Sequence, residues 1–184
     1  NKNVGTGKTV TVNSITLADG SNGGLAANYS ISAGQTTTAN ITAKSLTVSG
    51  ITTSNKVYDG GTAAATTLSF SGLIGSETLG QTVGSTFDNK NVGAGKTVTV
   101  NSITLADGNN GGLAANYSIS PGQTTTANVT TKALTVSGIT ASNKTYDATT
   151  SATLGTGTVS YGGLVSGDDF AGSYSGVFAN ANVG

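Results

Sequence analysis

Residues 3–12 read NVGTGKTVTV, and residues 91–100 repeat them as NVGAGKTVTV. Two readings of the phrase lead to two different folds. As a phosphate-binding loop, Gly5-Thr6-Gly7-Lys8-Thr9 would sit between a strand and a helix, with the helix N-terminal amides facing phosphate. As a turn entering a strand, the glycines lead into Lys8-Thr9-Val10-Thr11-Val12, whose valines share one face of a two-residue period. The loop signature G-x-x-x-x-G-K-[ST] puts its first glycine where Lys2 and Lys90 stand. Alternation follows the motif, not a helical period. The strand reading therefore holds, and a nucleotide site is excluded.

The same alternation recurs along the chain. Ile15-Thr16-Leu17 continues the first strand past a bulge at Asn13-Ser14, and Asn28-Tyr29-Ser30-Ile31, Ala39-Asn40-Ile41, Leu46-Thr47-Val48 and Leu68-Ser69-Phe70 read as further strands. Leu154 to Tyr161 is a later counterpart of the last of these. Threonine suits such half-buried pleats because its branched Cβ packs well on a strand. Turn-forming runs separate them, among them Ala18–Gly24, Ser32-Ala33-Gly34 and Asp59-Gly60-Gly61. Gly72–Leu79 is at most one short helical turn. Roughly seven short strands at about 8–12-residue spacing predict an all-β, sandwich-like unit, immunoglobulin-like or of a related topology.

That unit is written more than once. Asn1 aligns with Asn89, Asp19 with Asp107, Tyr29 with Tyr117 and Tyr58 with Tyr146, each pair 88 apart. Residues 1–55 and 89–143 differ at seven positions: Thr6/Ala94, Ser21/Asn109, Ala33/Pro121, Ile41/Val129, Ala43/Thr131, Ser45/Ala133 and Thr53/Ala141. After Tyr146 the copies diverge, and Phe178 answers Phe87 at an offset of 91. Cut by pattern, the chain holds the C-terminal half of one unit (1–43), one complete 88-residue unit (44–131) and the N-terminal part of a third (132–184). It reads as a window on a longer tandem array. A solenoid coil is shorter, about 20–45 residues, so the period suits small autonomous domains in an elongated row.

Composition narrows the chemistry. The eight cationic residues are all lysine, and seven Asp and one Glu (Glu77) balance them. Zero net charge without arginine excludes nucleic acid, whose affinity comes from neutralising phosphates. There is no basic cluster for an anionic membrane and no apolar run long enough for a spanning helix, so direct membrane insertion is not expected. The sequence lacks Cys and His altogether, which removes disulfides, thiolate metal sites and the usual general base. A Ser-His-Asp triad is impossible. Asp19-Gly20-Ser21-Asn22-Gly23 offers one carboxylate where calcium wants several, and reads as a turn. Asp168-Asp169 is the one adjacent carboxylate pair, and nothing marks it as a tuned acid and base. Lys56 and Asp59, repeated as Lys144 and Asp147, have the residue types of a self-formed Lys–Asn isopeptide link. No enzyme and no cofactor is expected.

Several phrases carry a family likeness. They are Lys56-Val57-Tyr58-Asp59-Gly60 with Lys144-Thr145-Tyr146-Asp147-Ala148, Ser71–Glu77 with Gly163–Asp168, Phe87–Gly93, and the closing Asn116-Tyr117-Ser118-Ile119. In this order they resemble the YDG-type repeats, relatives of the MBG repeats, of large secreted bacterial adhesins of the filamentous-haemagglutinin kind. Ala148 departs from the pattern, which has Gly there, so that turn must avoid positive φ or be strained. The resemblance implies a structural motif at Lys56, Tyr58, Asp59, Gly60, Lys144, Tyr146 and Asp147 and no catalytic residues. It implies an extracellular stalk or fibre at the bacterial surface, exported across the outer membrane, whose partners are neighbouring repeats of the same chain. The other reading is a repeat-borne binding module for glycans or for sister copies.

Overall fold

The structure, a computed structural model, describes residues 1–183. Within them the chain is all-β and sandwich-like: sixteen strands and two three-residue 3-10 turns, Ala26–Asn28 and Ala114–Asn116. The strands are β1 (Gly5–Thr11), β2 (Thr36–Ile41), β3 (Lys44–Ser45), β4 (Thr47–Thr53), β5 (Lys56–Val57), β6 (Thr66–Ser71), β7 (Leu79–Phe87) and β8 (Gly93–Asp107). There follow β9 (Tyr117–Ser118), β10 (Thr124–Thr130), β11 (Thr135–Ser137), β12 (Thr140–Ala141), β13 (Ser151–Ala152), β14 (Leu154–Gly155), β15 (Ser160–Gly162) and β16 (Gly176–Val177). Four of them form one sheet in the order β5-β10-β8-β7; the others pair two by two.

The phrase KTVTV is a strand in both copies. β1 pairs antiparallel with β2, Lys8 opposite Ala39 and Thr11 opposite Thr36, with a register shift between Gly5 and Lys8. β8 repeats this against β10, with Lys96 opposite Ala127 and Thr99 opposite Thr124. The glycines make the bulge: Gly7 has φ +58 and Gly95 +60, and an added Cβ at either meets nothing within 4 Å. Glycine is needed there for the sign of φ, not for room. Each of these N–H groups donates to a side-chain oxygen, of Asn40 and Asn128 respectively, at 2.8 Å. The amides that a phosphate loop would aim at its ligand are thus bonded within the hairpin.

Packing divides the chain into two compact units. The first comprises Asn1–Ile51, Thr67–Gly84 and Val100–Gln123, and its buried apolar residues are Leu46, Leu68, Val100 and Tyr117. In it β3 runs parallel to β9, and the Leu46 N–H extends the ladder to the Ser118 carbonyl at 2.8 Å. The second comprises Thr52–Thr66, Ser85–Thr99 and the residues from Thr124 onward. Phe87, Val98, Ala127 and Val129 form its core, with Tyr58 and Ala64 packed against them. Here β10 lies between antiparallel β8 and parallel β5. Ser85, a buried hydroxyl, is satisfied by the Ala64 carbonyl at 2.9 Å and Thr66 Oγ1 at 2.7 Å. Beyond residue 131 the strands pair as β11–β15, β12–β14 and β13–β16. Each compact unit draws its segments from more than one copy of the sequence phrase.

Three local differences from the alternation pattern have a common cause. Ile15-Thr16-Leu17 lies outside any strand, whereas the same letters at Ile103-Thr104-Leu105 lie inside the fifteen-residue β8. Tyr29-Ser30-Ile31 is likewise irregular where Tyr117–Ser118 is β9. In the second copy β7 and β3 supply the neighbouring backbone; in the first, β1 and β2 pair with each other alone. A strand is a property of a pair, so identical residues without a partner stay irregular. Leu154 to Tyr161 is broken by a turn, Val159 N–H to the Thr156 carbonyl at 3.3 Å, into β14 and β15. Gly72–Leu79 contains no helix; Ile74 to Glu77 is a single turn closed at 3.1 Å.

Candidate functional site

Lys56, Tyr58, Asp59 and Gly60 fall in one tight turn after β5. The Lys56 ammonium reaches Asp59 Oδ1 at 2.7 Å, the Gly61 carbonyl at 2.9 Å and the Ala63 carbonyl at 3.0 Å. An ammonium has three protons, and here all three are donated. Asp59 Oδ1 in turn accepts the Gly61 N–H at 2.8 Å. The third copy repeats the clasp: Lys144 Nζ lies 2.7 Å from Asp147 Oδ1 and donates to the carbonyls of Thr149 and Ser151, each at 3.0 Å. This is the geometry of a staple across a turn, with each amine held as an ion pair. Gly60 has φ +82, and Ala148 at the matching place has φ +60, so the alanine copy keeps the turn and bears the strain.

Each Tyr of this motif has its own setting. The Tyr58 ring packs on the Phe87 core and its hydroxyl donates to Asp168 Oδ2 at 2.8 Å. Tyr146 is exposed. A second tyrosine–carboxylate pair occurs in the first unit, where the buried Tyr117 donates to Glu77 Oε2 at 2.5 Å and accepts the Ile74 N–H at 3.1 Å. Glu77 and Asp168 occupy the same place in their copies, each at the end of a turn closed onto the residue three before it (Ile74 and Val165). Lys2 Nζ stands 3.4 Å from Glu77 Oε1. In both units an acid from the start of one phrase is met by residues of the phrase before it: Lys2 in the first, Tyr58 in the second.

The order of these turns, clasps and closing tyrosines is that of a known domain, and the YDG domain matches residues 42–127 and again 130–184. The chain belongs to the YDG domain family. No curated protein matches it, and no solved structure does. YDG domains are non-catalytic structural and adhesion modules, and the protein is not an enzyme.

The electrostatics of the YDG turns follow from these contacts. The Lys56 hydrogen bond, then the Gly61 amide, holds the Asp59 carboxyl below its ordinary value. Lys144, aided by the Thr149 amide and hydroxyl, brings Asp147 down to about 2. Lys96, 2.8 Å from Asp88, lowers that carboxyl too. Tyr117 lowers Glu77, with Lys2 acting in the same direction, and Glu77 raises the Tyr117 phenol. Asp19 and Asp107 accept the Ala26 and Ala114 N–H groups at 2.6 and 2.7 Å, so the loop with calcium-like spacing uses its carboxylate to close itself. Among the described residues no cluster of three or more His, Cys, Asp or Glu side chains is arranged to hold a metal. No helix among them is long and apolar enough to cross a membrane.

The apolar cavity beside Tyr58 is lined by Val92, Leu134, Leu164, Val165 and Phe170 and measures about 140 Å³. Pockets for drug-sized ligands run to about 300–1,000 Å³, so this one is a packing gap between strands. Sequence reasoning found the Lys–Asp clasps but missed Glu77, Asp168 and Tyr117. The signal was available: Leu73-Ile74-Gly75-Ser76-Glu77 and Leu164-Val165-Ser166-Gly167-Asp168 both end in an acid.

Proposed function

We propose that this YDG repeat pair is part of a stalk or spacer in a bacterial extracellular adhesin, exported across the outer membrane and built as an elongated row of sandwich-like, immunoglobulin-related units. The observation that carries the reading is that successive phrases fold into one another. Val4 N–H donates to Asn116 Oδ1 at 2.9 Å and Asn116 Nδ2 to Asn3 Oδ1 at 3.2 Å, while Tyr58 of one phrase meets Asp168 of the next. Contacts of this kind at every junction tie neighbours together without a flexible linker, so added copies add reach. Function then lies in length and stiffness, with neighbouring repeats as the partners. An 88-residue unit is about 30 Å across by compact-domain scaling. Constructs of two, four and six units, measured by small-angle scattering, should lengthen by a constant increment near that size. Compact, roughly spherical envelopes for the longer ones would defeat the reading.

The second reading is a repeat-borne binding surface for glycans or for sister copies. The weakly charged Thr, Asn and Ser faces and the unpaired edge of β1 favour it. Deleting units discriminates: a spacer loses reach at unchanged affinity, whereas a repeat-borne binder loses avidity.

A further inference from the structure

Residues 5–31 and 93–119 differ only at Thr6/Ala94 and Ser21/Asn109, so the chain contains its own control experiment. Val98 is fully buried and Val10 is 45% exposed; Tyr117 is 7% exposed and Tyr29 69%. The second hairpin is covered by the segment that precedes it, residues 44–87. Phe87 and Tyr58 pack on Val98, Ala127 and Val129, and β3 and Glu77 close over Tyr117. The first hairpin presents the same apolar face and the same free edge of β1 with no such segment upon it.

The opposite half-site lies at residues 132–183. There β13–β16 pairs Ser151 with Val177, as the bridge between Ala63 and Thr86 does in the second copy. The Lys144–Asp147 clasp repeats Lys56–Asp59. What differs is cover. Phe178, the counterpart of Phe87, is 39% exposed against 3%. Lys144, Tyr146 and Phe178 line an open cleft of about 390 Å³. In the second copy the corresponding Lys56, Tyr58 and Phe87 face a seated hairpin.

We propose that the β1–β2 hairpin of one chain seats in the Lys144–Tyr146–Phe178 cleft of a second copy, reproducing between molecules the packing of β8–β10 on Tyr58 and Phe87. Val10, Ala39 and Ile41 take the places of Val98, Ala127 and Val129. The edge of β1, extended through Val12–Asp19, pairs with the second copy's Gly176–Phe178 segment. The two faces are different surfaces, so the contact is head-to-tail and leaves one of each free on every pair. The inference deepens the stalk reading by naming how one piece engages the next; the length-per-repeat measurement tests that reading separately.

The test is molar mass against concentration by light scattering, with two single variants at exposed positions. The unmodified chain should associate past the dimer. Val10→Asp blocks the hairpin face and Phe178→Asp blocks the cleft; each alone should remain monomeric with an unchanged circular dichroism spectrum. An equimolar mixture should give a one-to-one pair and stop there, because it contains one intact hairpin face and one intact cleft that can meet. Hydrogen exchange in the mixture should slow at the amides of Val12–Asp19. A monomeric unmodified chain, association that survives either substitution, or a mixture that stays monomeric would overturn the proposal.

Discussion

Tyr58 donates its hydroxyl to Asp168 Oδ2 at 2.8 Å across 110 residues of chain, while its ring rests on Phe87 and Val98. One side chain therefore serves two layers: it closes the core of its own phrase and ties the next phrase to it. The separation of the two roles is measurable. Tyr58→Phe keeps the ring and should cost about 1 kcal/mol. Tyr58→Ala also opens the core and should cost about 3 kcal/mol or more. In a double-mutant cycle, Tyr58→Phe and Asp168→Ala should be non-additive, because each removes the same bond. Additive losses in urea unfolding would show that the hydroxyl and carboxylate do not act as a pair.

Gly60 and Ala148 hold the same turn at φ +82 and +60 with different residues. Ala148→Gly should stabilise by about 0.5–1 kcal/mol, because glycine adopts positive φ without the Cβ clash with the following carbonyl. The reverse change is worse than the loss of that benefit. A Cβ at Gly60 would lie 2.8 Å from Val165 Cγ1. Gly60→Ala should therefore destabilise by about 1–3 kcal/mol. Thermal melts of the two variants should shift in opposite directions; shifts of the same sign would refute the strain argument.

Gly84 marks where β7 lies close against β8. A Cβ built there comes within 2.4 Å of Ser102 Oγ. Gly84→Ala should cost about 1–3 kcal/mol, and Ser102→Gly on the same chain should recover most of it by clearing the space. Failure of that rescue would place the cost in the backbone of β7 instead.

This glycine also explains what was legible in the sequence. Val10/Val12 and Val98/Val100 announce a strand because valine and threonine alternate cleanly, and the fold class follows from them. Leu79-Gly80-Gln81-Thr82-Val83-Gly84-Ser85-Thr86-Phe87 alternates too, but its inward positions mix Leu, Gln, Val, Ser and Phe, and its glycines are set by the neighbour strand. Nothing local reveals Ser102. Pairing partners were likewise invisible, which is why identical residues at 15–17 and 103–105 could be given one assignment and take two structures. The Lys–Asp clasps were readable because they close within a few residues. Glu77 and Asp168 were not, since Tyr117 and Tyr58 reach them from far along the chain.

The pH response of the fold has two limbs with separate origins. Asp59, Glu77, Asp88 and Asp147 have folded-state values below the ordinary 3.8 for Asp and 4.5 for Glu. A depressed carboxyl favours the folded state above its unfolded value, and that contribution disappears as pH falls through the folded one. For Asp147 the window runs from 3.8 down to about 2. Tyr117 and Tyr174 are raised above 10.0, by Glu77 and by Tyr161 respectively. A raised phenol contributes fully below 10.0 and loses its contribution as pH climbs through the higher folded value. Denaturation midpoints should thus be flat between the limbs, fall below about pH 4 and fall again above about pH 10. Lys144→Gln should lower the plateau and shallow the acid limb, because Asp147 then titrates nearer its unfolded value. Tyr117→Phe should shallow the alkaline limb and leave Asp147 untouched. Added salt should weaken the Lys–Asp share of the acid limb, since those carboxylates are solvent-facing and their partners are screened. An acid limb unaltered by Lys144→Gln would mean that the clasp orders the turn without contributing to its stability.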